Sequence, residues 1–148
     1  MIEIITWDMI ENVWKLHLWP TRKSKIETNS AMCYQAGYDM FNMTTKPTFF
    51  GYYVDDKLVG VNSGHSCNNN MYRSRGLWVF PEYRKKGIGK QLLLATIEQA
   101  KNEEADSIWS YPKRTSWKTY ESAGFRVTSE WAPSETSEEN AYCIMELK

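Results

Sequence analysis

Residues 76 to 93 read Gly-Leu-Trp-Val-Phe-Pro-Glu-Tyr-Arg-Lys-Lys-Gly-Ile-Gly-Lys-Gln-Leu-Leu, and few folds accommodate such a run. Its apolar start, within a predicted strand over 72–80, is closed by Pro81, which has no N–H to give a ladder. Its tail opens an amphipathic helix: Gly89, Leu93, Ile97 and Ala100 are spaced four, four and three, while Gln91, Glu98, Lys101 and Asn102 fall on the other face. Between them lies a basic turn with two glycines. The first turn of a helix leaves N–H groups unpaired and facing outward, glycine lets a ligand come close to that backbone, and Arg84, Lys85, Lys86 and Lys90 add positive charge. A phosphate or pyrophosphate suits such a place.

Two well-known phosphate motifs do not fit. A P-loop ending at Gly89-Lys90 needs glycine at position 84 and Ser or Thr at 91, where the chain has Arg84 and Gln91. A dinucleotide fingerprint on Gly87-Ile88-Gly89 needs glycine at 92, where Leu92 stands, and no parallel βαβ unit leads into it.

With 148 residues and 17.4 kDa the chain is expected to be one domain, residues 1–148. A β-branched stretch over 2–6 predicts a first strand. Asp8 followed by Glu11 reads as a helix start, and Ile10, Val13, Trp14 and Leu18 recur at helical spacing until Pro20. A second helix is predicted over 30–43, carrying Met32, Tyr34, Ala36 and Met40. Two strands, 49–54 and 58–64, flank the turn Asp55-Asp56-Lys57, and a further turn at 67–70 leads to the strand over 72–80. After the central helix come a strand at 107–111, a helix at 115–123 closed by Gly124, strands at 125–131 and 141–147, and a polar loop at 133–140. This order predicts an α/β (α+β) fold: a mixed, mostly antiparallel sheet of six to seven strands flanked by helices.

Composition removes several classes of function. Lysine plus arginine is 18 and aspartate plus glutamate is 18, so the net charge is zero and a general nucleic-acid or membrane-surface binder is disfavoured. The longest apolar stretches fall far short of the ~20 residues of a membrane span, and the start is not signal-like. Cys33, Cys67 and Cys143 are scattered and odd in number, which points to a reducing, cytoplasmic setting with no metal-type pairing.

Arg84-Lys85-Lys86-Gly87-Ile88-Gly89 closely resembles the acyl-CoA motif of the GCN5-related N-acetyltransferase (GNAT) family: Arg or Gln, two variable residues, Gly, one variable residue, Gly or Ala. The flanks Leu77-Trp78-Val79 and Leu92-Leu93 stand where that family has its fourth strand and central helix. Tyr120-Glu121-Ser122-Ala123-Gly124-Phe125 is similar to the family's Tyr, three residues, Gly-Phe element. The resemblance implies an N-acetyltransferase fold and transfer of an acetyl group from acetyl-CoA to a primary amine of a small molecule or a protein. No nucleic-acid or membrane partner is implied, and a homodimer is compatible. It further implies that backbone groups of Leu77 and Val79, beside Trp78, pair with the pantetheine arm like an added strand. Lys85, Lys86, Gly87, Ile88, Gly89 and Lys90, with Arg84 before them, would hold the pyrophosphate. The segment from Lys113 to Ser116 matches one that touches the cosubstrate again, although the family's asparagine is replaced there by Lys113 and Arg114.

Direct transfer makes three demands. The amine, with a reference pKa of ~10.4, must lose its proton; the carbonyl oxygen gains charge that a strand N–H, such as that of Val79, can stabilise; and the thiolate benefits from a proton donor, a position Tyr120 matches. For the base, the strand sequence Tyr72-Arg73-Ser74-Arg75 offers no carboxylate, leaving His65, Glu82, Asp55 and bulk water. His17 is expected at the edge of the core. Trp14, Trp19, Tyr34, Tyr38 and Phe41 read as core aromatics, or as walls of an amine cleft. Glu130, Glu135, Glu138 and Glu139 read as solvated charges that would favour a cationic acceptor if they border the cleft. The missing carboxylate leaves a rival from another class, a non-catalytic acyl-CoA sensor.

Overall fold

The computed structural model describes residues 1–134 and 138–148. A seven-stranded sheet runs β1 (Ile2–Ile4), β2 (Thr48–Val54), β3 (Lys57–Cys67), β4 (Met71–Val79), β5 (Ser107–Ser110), then the last strand (Cys143–Glu146) and a two-residue edge at Arg126–Val127. We number the Arg126–Val127 strand β6, the small pair Ala132–Pro133 and Glu139–Asn140 β7 and β8, and the last strand β9. All neighbours are antiparallel except β4 and β5, which are parallel. The mixed, mostly antiparallel sheet expected from the sequence is the one observed.

Helices cover both faces. α1 (Trp7–Val13) continues as a π-turn over Trp14–Leu18 and buries Ile10, Val13 and Trp14 against Ile5, Phe49 and Val61. On the other face, α2 (Ile88–Asn102) and α3 (Trp117–Ala123) pack Leu93, Ile97, Ala100, Tyr120 and Ala123 over Tyr72 and Ile108. α2 is pinned to the sheet by a buried polar bridge, in which Asn62 Nδ2 donates to Ser74 Oγ and to Thr96 Oγ1, both at 2.9 Å. A buried amide that is hydrogen-bonded fixes register as well as filling space. No helix among the described residues is long and apolar enough to cross a membrane.

Several expectations need correction. The predicted helix over 30–43 does not form: Gln35 and Gly37 have φ of 64° and 78°, Met32 bridges Tyr38, and only Met40–Thr44 makes a 3-10 turn. Met32, Tyr34 and Ala36 are spaced by two, which is no helical stripe. Tyr38 and Phe41, expected in the core, are 81% and 83% exposed. The first helix is capped by Thr6, whose Oγ1 accepts from the Met9 N–H, and Asp8 sits in its first turn instead. The strand over 125–131 shrinks to Arg126–Val127, and the loop at 133–140 contributes to the small β7–β8 pair. Glu135 lies outside the described residues.

Candidate active site

β4 and β5 pair only from Met71–Arg73 to Ser107–Trp109. At the end of that ladder Ser110 Oγ donates to the Ser74 carbonyl at 2.7 Å. Beyond it β4 runs on to Val79 with no strand among the described residues paired to that edge, and the two elements diverge into a wedge. The Phe80 N–H donates to the Val59 carbonyl of β3 at 2.9 Å, so alternation along the strand turns the peptide groups of Val79, and of Leu77 before it, towards the open wedge. An extended chain bearing amides can be added there as a further strand. The wedge opens into a cleft of about 630 Å³ that runs from the basic turn to Tyr120.

The basic turn forms the cleft's mouth. Gln91 makes the first intrahelical bond of α2, to Gly87 at 3.1 Å, and Gly87 caps the helix with no side-chain help. Among the described residues, no acceptor takes the N–H groups of Lys85 through Lys90. Gly87 has φ +82° and a Cβ added to it would meet nothing within 4 Å, so the backbone there is bare. Gly89 serves packing instead, because a Cβ on it would lie 3.1 Å from Thr119, and glycine lets α3 approach α2. Lys85 and Lys90 line the cleft and form no ion pair among the described residues. A row of free N–H groups and lysines at a helix start fits a pyrophosphate.

A sequence profile described as the acetyltransferase (GNAT) family matches residues 10–125. The chain belongs to the GNAT family. This GNAT protein is therefore an acyl-CoA-dependent acyltransferase with acetyl-CoA as its cosubstrate. No curated protein matches its sequence. Among solved structures, it superposes on the IAA acetyltransferase from Bacillus cereus ATCC 14579 at 18% identity and a TM-score of 0.70, covering 99% of each chain. It likewise matches a Bacillus subtilis acetyltransferase in complex with CoA, at 19% identity and a TM-score of 0.68 over 99% of this chain and 98% of that one. A third match, the ribosomal-protein-S18-alanine N-acetyltransferase from Escherichia coli, is 13% identical with a TM-score of 0.68 over 100% and 94% of the two chains. At these identities the likeness concerns the fold.

Leu77, Trp78, Val79, Arg84, Lys85, Gly87, Ile88, Gly89, Lys90, Ser116 and Tyr120 all line the cleft of this GNAT protein. Lys86 does not; its ammonium lies over the Tyr83 ring at 5.5 Å. Arg84 folds back: Nε donates to the Val79 carbonyl at 2.7 Å and its guanidinium stacks on Trp78 at 4.4 Å. It braces the strand edge and leaves the Val79 N–H as that residue's available group. In the segment from Lys113 to Ser116, Lys113 pairs with Glu138 and Arg114 with Glu139, both at 2.8 Å.

The Tyr, three residues, Gly-Phe element has a structural logic. Gly124, at φ +113°, ends α3 and returns Phe125 against the Tyr120 ring, 5.6 Å away and edge-on, with the Phe125 N–H donating to the Tyr120 carbonyl. The phenol is thereby held at the apex of the wedge, with Ser110 beside it. Burial pushes its pKa above the ordinary tyrosine value, so it keeps its proton at neutral pH.

The base candidates fare differently. His65 is fully buried; Nε2 accepts from the Ser30 N–H at 3.2 Å and Nδ1 faces the Ser66 carbonyl at 3.1 Å, so both ring nitrogens are engaged. Burial pulls its pKa down to about 3. Its proton affinity thus belongs to the unfolded chain, where the value is ~6.5. Between about pH 3 and 6.5 the unfolded state binds the extra proton, so this contribution is complete above pH ~6.5 and lost as the pH falls towards 3. Urea midpoints are expected to drop from pH 7 to 4, and the slope, at most ~1.4 kcal/mol per pH unit from this group, to flatten in His65→Gln. An unchanged slope would refute the assignment. Glu82 and Asp55 do not line the cleft, and Glu138, the carboxylate that does among the described residues, is held by Lys113. His17 is exposed and rests edge-on against Phe80.

In the sequence Arg73 and Arg75 stand out only as the absence of a carboxylate. Both are buried and line the cleft. The i, i+2 spacing of two arginines on a central strand was the signal available.

Proposed function

We propose that this protein transfers the acetyl group of acetyl-CoA to a primary amine by direct attack on the thioester. The observation that carries this reading is continuity: free N–H groups of a helix start, an unpaired strand edge and a protonated tyrosine line one cleft. Lys85 and Gly87 to Lys90 hold the pyrophosphate, with Ser116 on the far wall, while Leu77 and Val79 align the pantetheine arm. The Val79 N–H donates to the thioester oxygen as charge gathers there, and Tyr120 donates its proton to the departing sulfur. Among the described residues the cleft holds no free carboxylate or histidine, so the amine gives its proton to solvent in the open wedge. Unpaired Cys33, Cys67 and Cys143 suit a reducing, cytoplasmic setting.

The test is an amine panel incubated with acetyl-CoA and followed by thiol release. Amine-dependent release of CoA is expected. Saturable acetyl-CoA binding without turnover across small amines and peptides would overturn the enzyme and favour the sensor reading, which draws on the same lack of a free base.

A further inference from the structure

We infer that the acceptor amine carries a carboxylate, and that Arg73 and Arg75 receive it; the inference rests on the acyl-transfer reading above. The two arginines are 9% and 5% exposed and stand two apart on β4, so they share a face. Ser74 between them points the other way, towards α2, where Asn62 donates both to it and to Thr96. The guanidinium groups therefore lie on the face opposite α2, away from the turn that suits a pyrophosphate.

Neither is ion-paired among the described residues, and the Glu27 carboxylate acts on Arg75 only from beyond that range. The ion pairs among the described residues are all elsewhere, and none of those residues brings a carboxylate within ion-pair distance of either guanidinium. Arg73 Nη1 donates to Ser30 Oγ at 2.7 Å while its buried Nε has no partner, and Arg75 Nη1 donates to the Glu27 carbonyl at 2.9 Å. A guanidinium has about five N–H donors, so most of the edge of each is unspent. Indoles cover the faces: Trp109 lies 4.7 Å from Arg73, and Trp14 and Trp19 lie 4.9 and 5.2 Å from Arg75. Stacking satisfies a guanidinium's face and leaves its edge for a ligand. Beside Arg73 stand the Cys67 thiol, pushed up to about 11 by burial, and the phenols of Tyr120 and Tyr142, while Arg22 repels both guanidinium groups and Glu27 attracts that of Arg75 from a distance.

Buried charge without a partner is costly, and the cleft both residues line is the route by which a partner arrives. A flat edge between indole faces matches a planar carboxylate, which accepts two parallel hydrogen bonds. A cationic group has no comparable seat, because Glu138 is already neutralised by Lys113.

The experiment compares kcat/KM for amino acids and their amides with acetyl-CoA, adding aminoalkyl phosphates and succinyl-CoA as controls. Acids are expected to exceed their amides by about 10- to 100-fold, the scale of a charge-assisted hydrogen bond. Arg73→Gln should collapse that ratio while acetyl-CoA affinity by calorimetry is kept; the wild-type comparison stands even if the variant fails to fold. Equal rates for acid and amide, a preference for aminoalkyl phosphates, or a preference for succinyl-CoA over acetyl-CoA would each overturn the inference. Should no amine be acetylated, titration of the CoA-loaded protein separates the two readings. Selective binding of acids would then support the carboxylate seat and refute transfer, and no selectivity would refute both.

Discussion

Gly87→Glu is expected to abolish measurable acetyl-CoA binding while leaving a folded protein. The residue caps α2, and a side chain there projects into open space, so no packing is disturbed. The substitution costs about 1–2 kcal/mol of backbone strain at positive φ. Its carboxylate, however, would sit among the N–H groups on which the pyrophosphate is proposed to rest. Two like charges ~5 Å apart at an effective dielectric of ~20 repel by about 3 kcal/mol, more than 100-fold in affinity before any steric term. Gly87→Asn is the control, because asparagine tolerates the left-handed region and brings no charge; it should lose far less. Calorimetry on both variants decides the matter, and an unaltered Kd for Gly87→Glu would remove the pyrophosphate assignment.

Replacing Tyr120 by phenylalanine should cost about 10²- to 10³-fold in kcat with little change in acetyl-CoA affinity. The ring's packing against Phe125 is retained, so stability should barely move. Because burial raises the phenol's pKa, the wild-type rate should show no fall from tyrosine ionisation below pH ~10. A kcat within twofold of wild type would make Tyr120 a packing residue of α3.

The elements most legible in the sequence were those whose signals are local. Gly87 and Gly89 behind Arg84, the period of Leu93, Ile97 and Ala100, and Gly124 closing α3 all report backbone demands met within a few residues. The segment at 30–43 departs from its predicted helix because its side chains are fixed by distant partners. Tyr34 hydrogen-bonds Thr128 at 2.6 Å, and Ser30 meets His65 and Arg73, none of which sequence spacing reveals. His65 is a base candidate by its chemistry and ceases to be one once its burial and two hydrogen-bonding contacts are seen.

By itself the sequence determined the strand, basic turn and helix at 76–93, the order of the other main elements apart from 30–43 and 133–140, and the family, because a bare helix start and its glycines are written in adjacent residues. Tertiary structure alone decided that β4 and β5 part after Arg73, that Tyr120 reaches the apex of the resulting wedge, and that Arg73 and Arg75 stand there with no ion pair among the described residues. Cleft shape and charge balance depend on which groups meet through space, and residues 30, 73 and 109 become neighbours only after the sheet has formed.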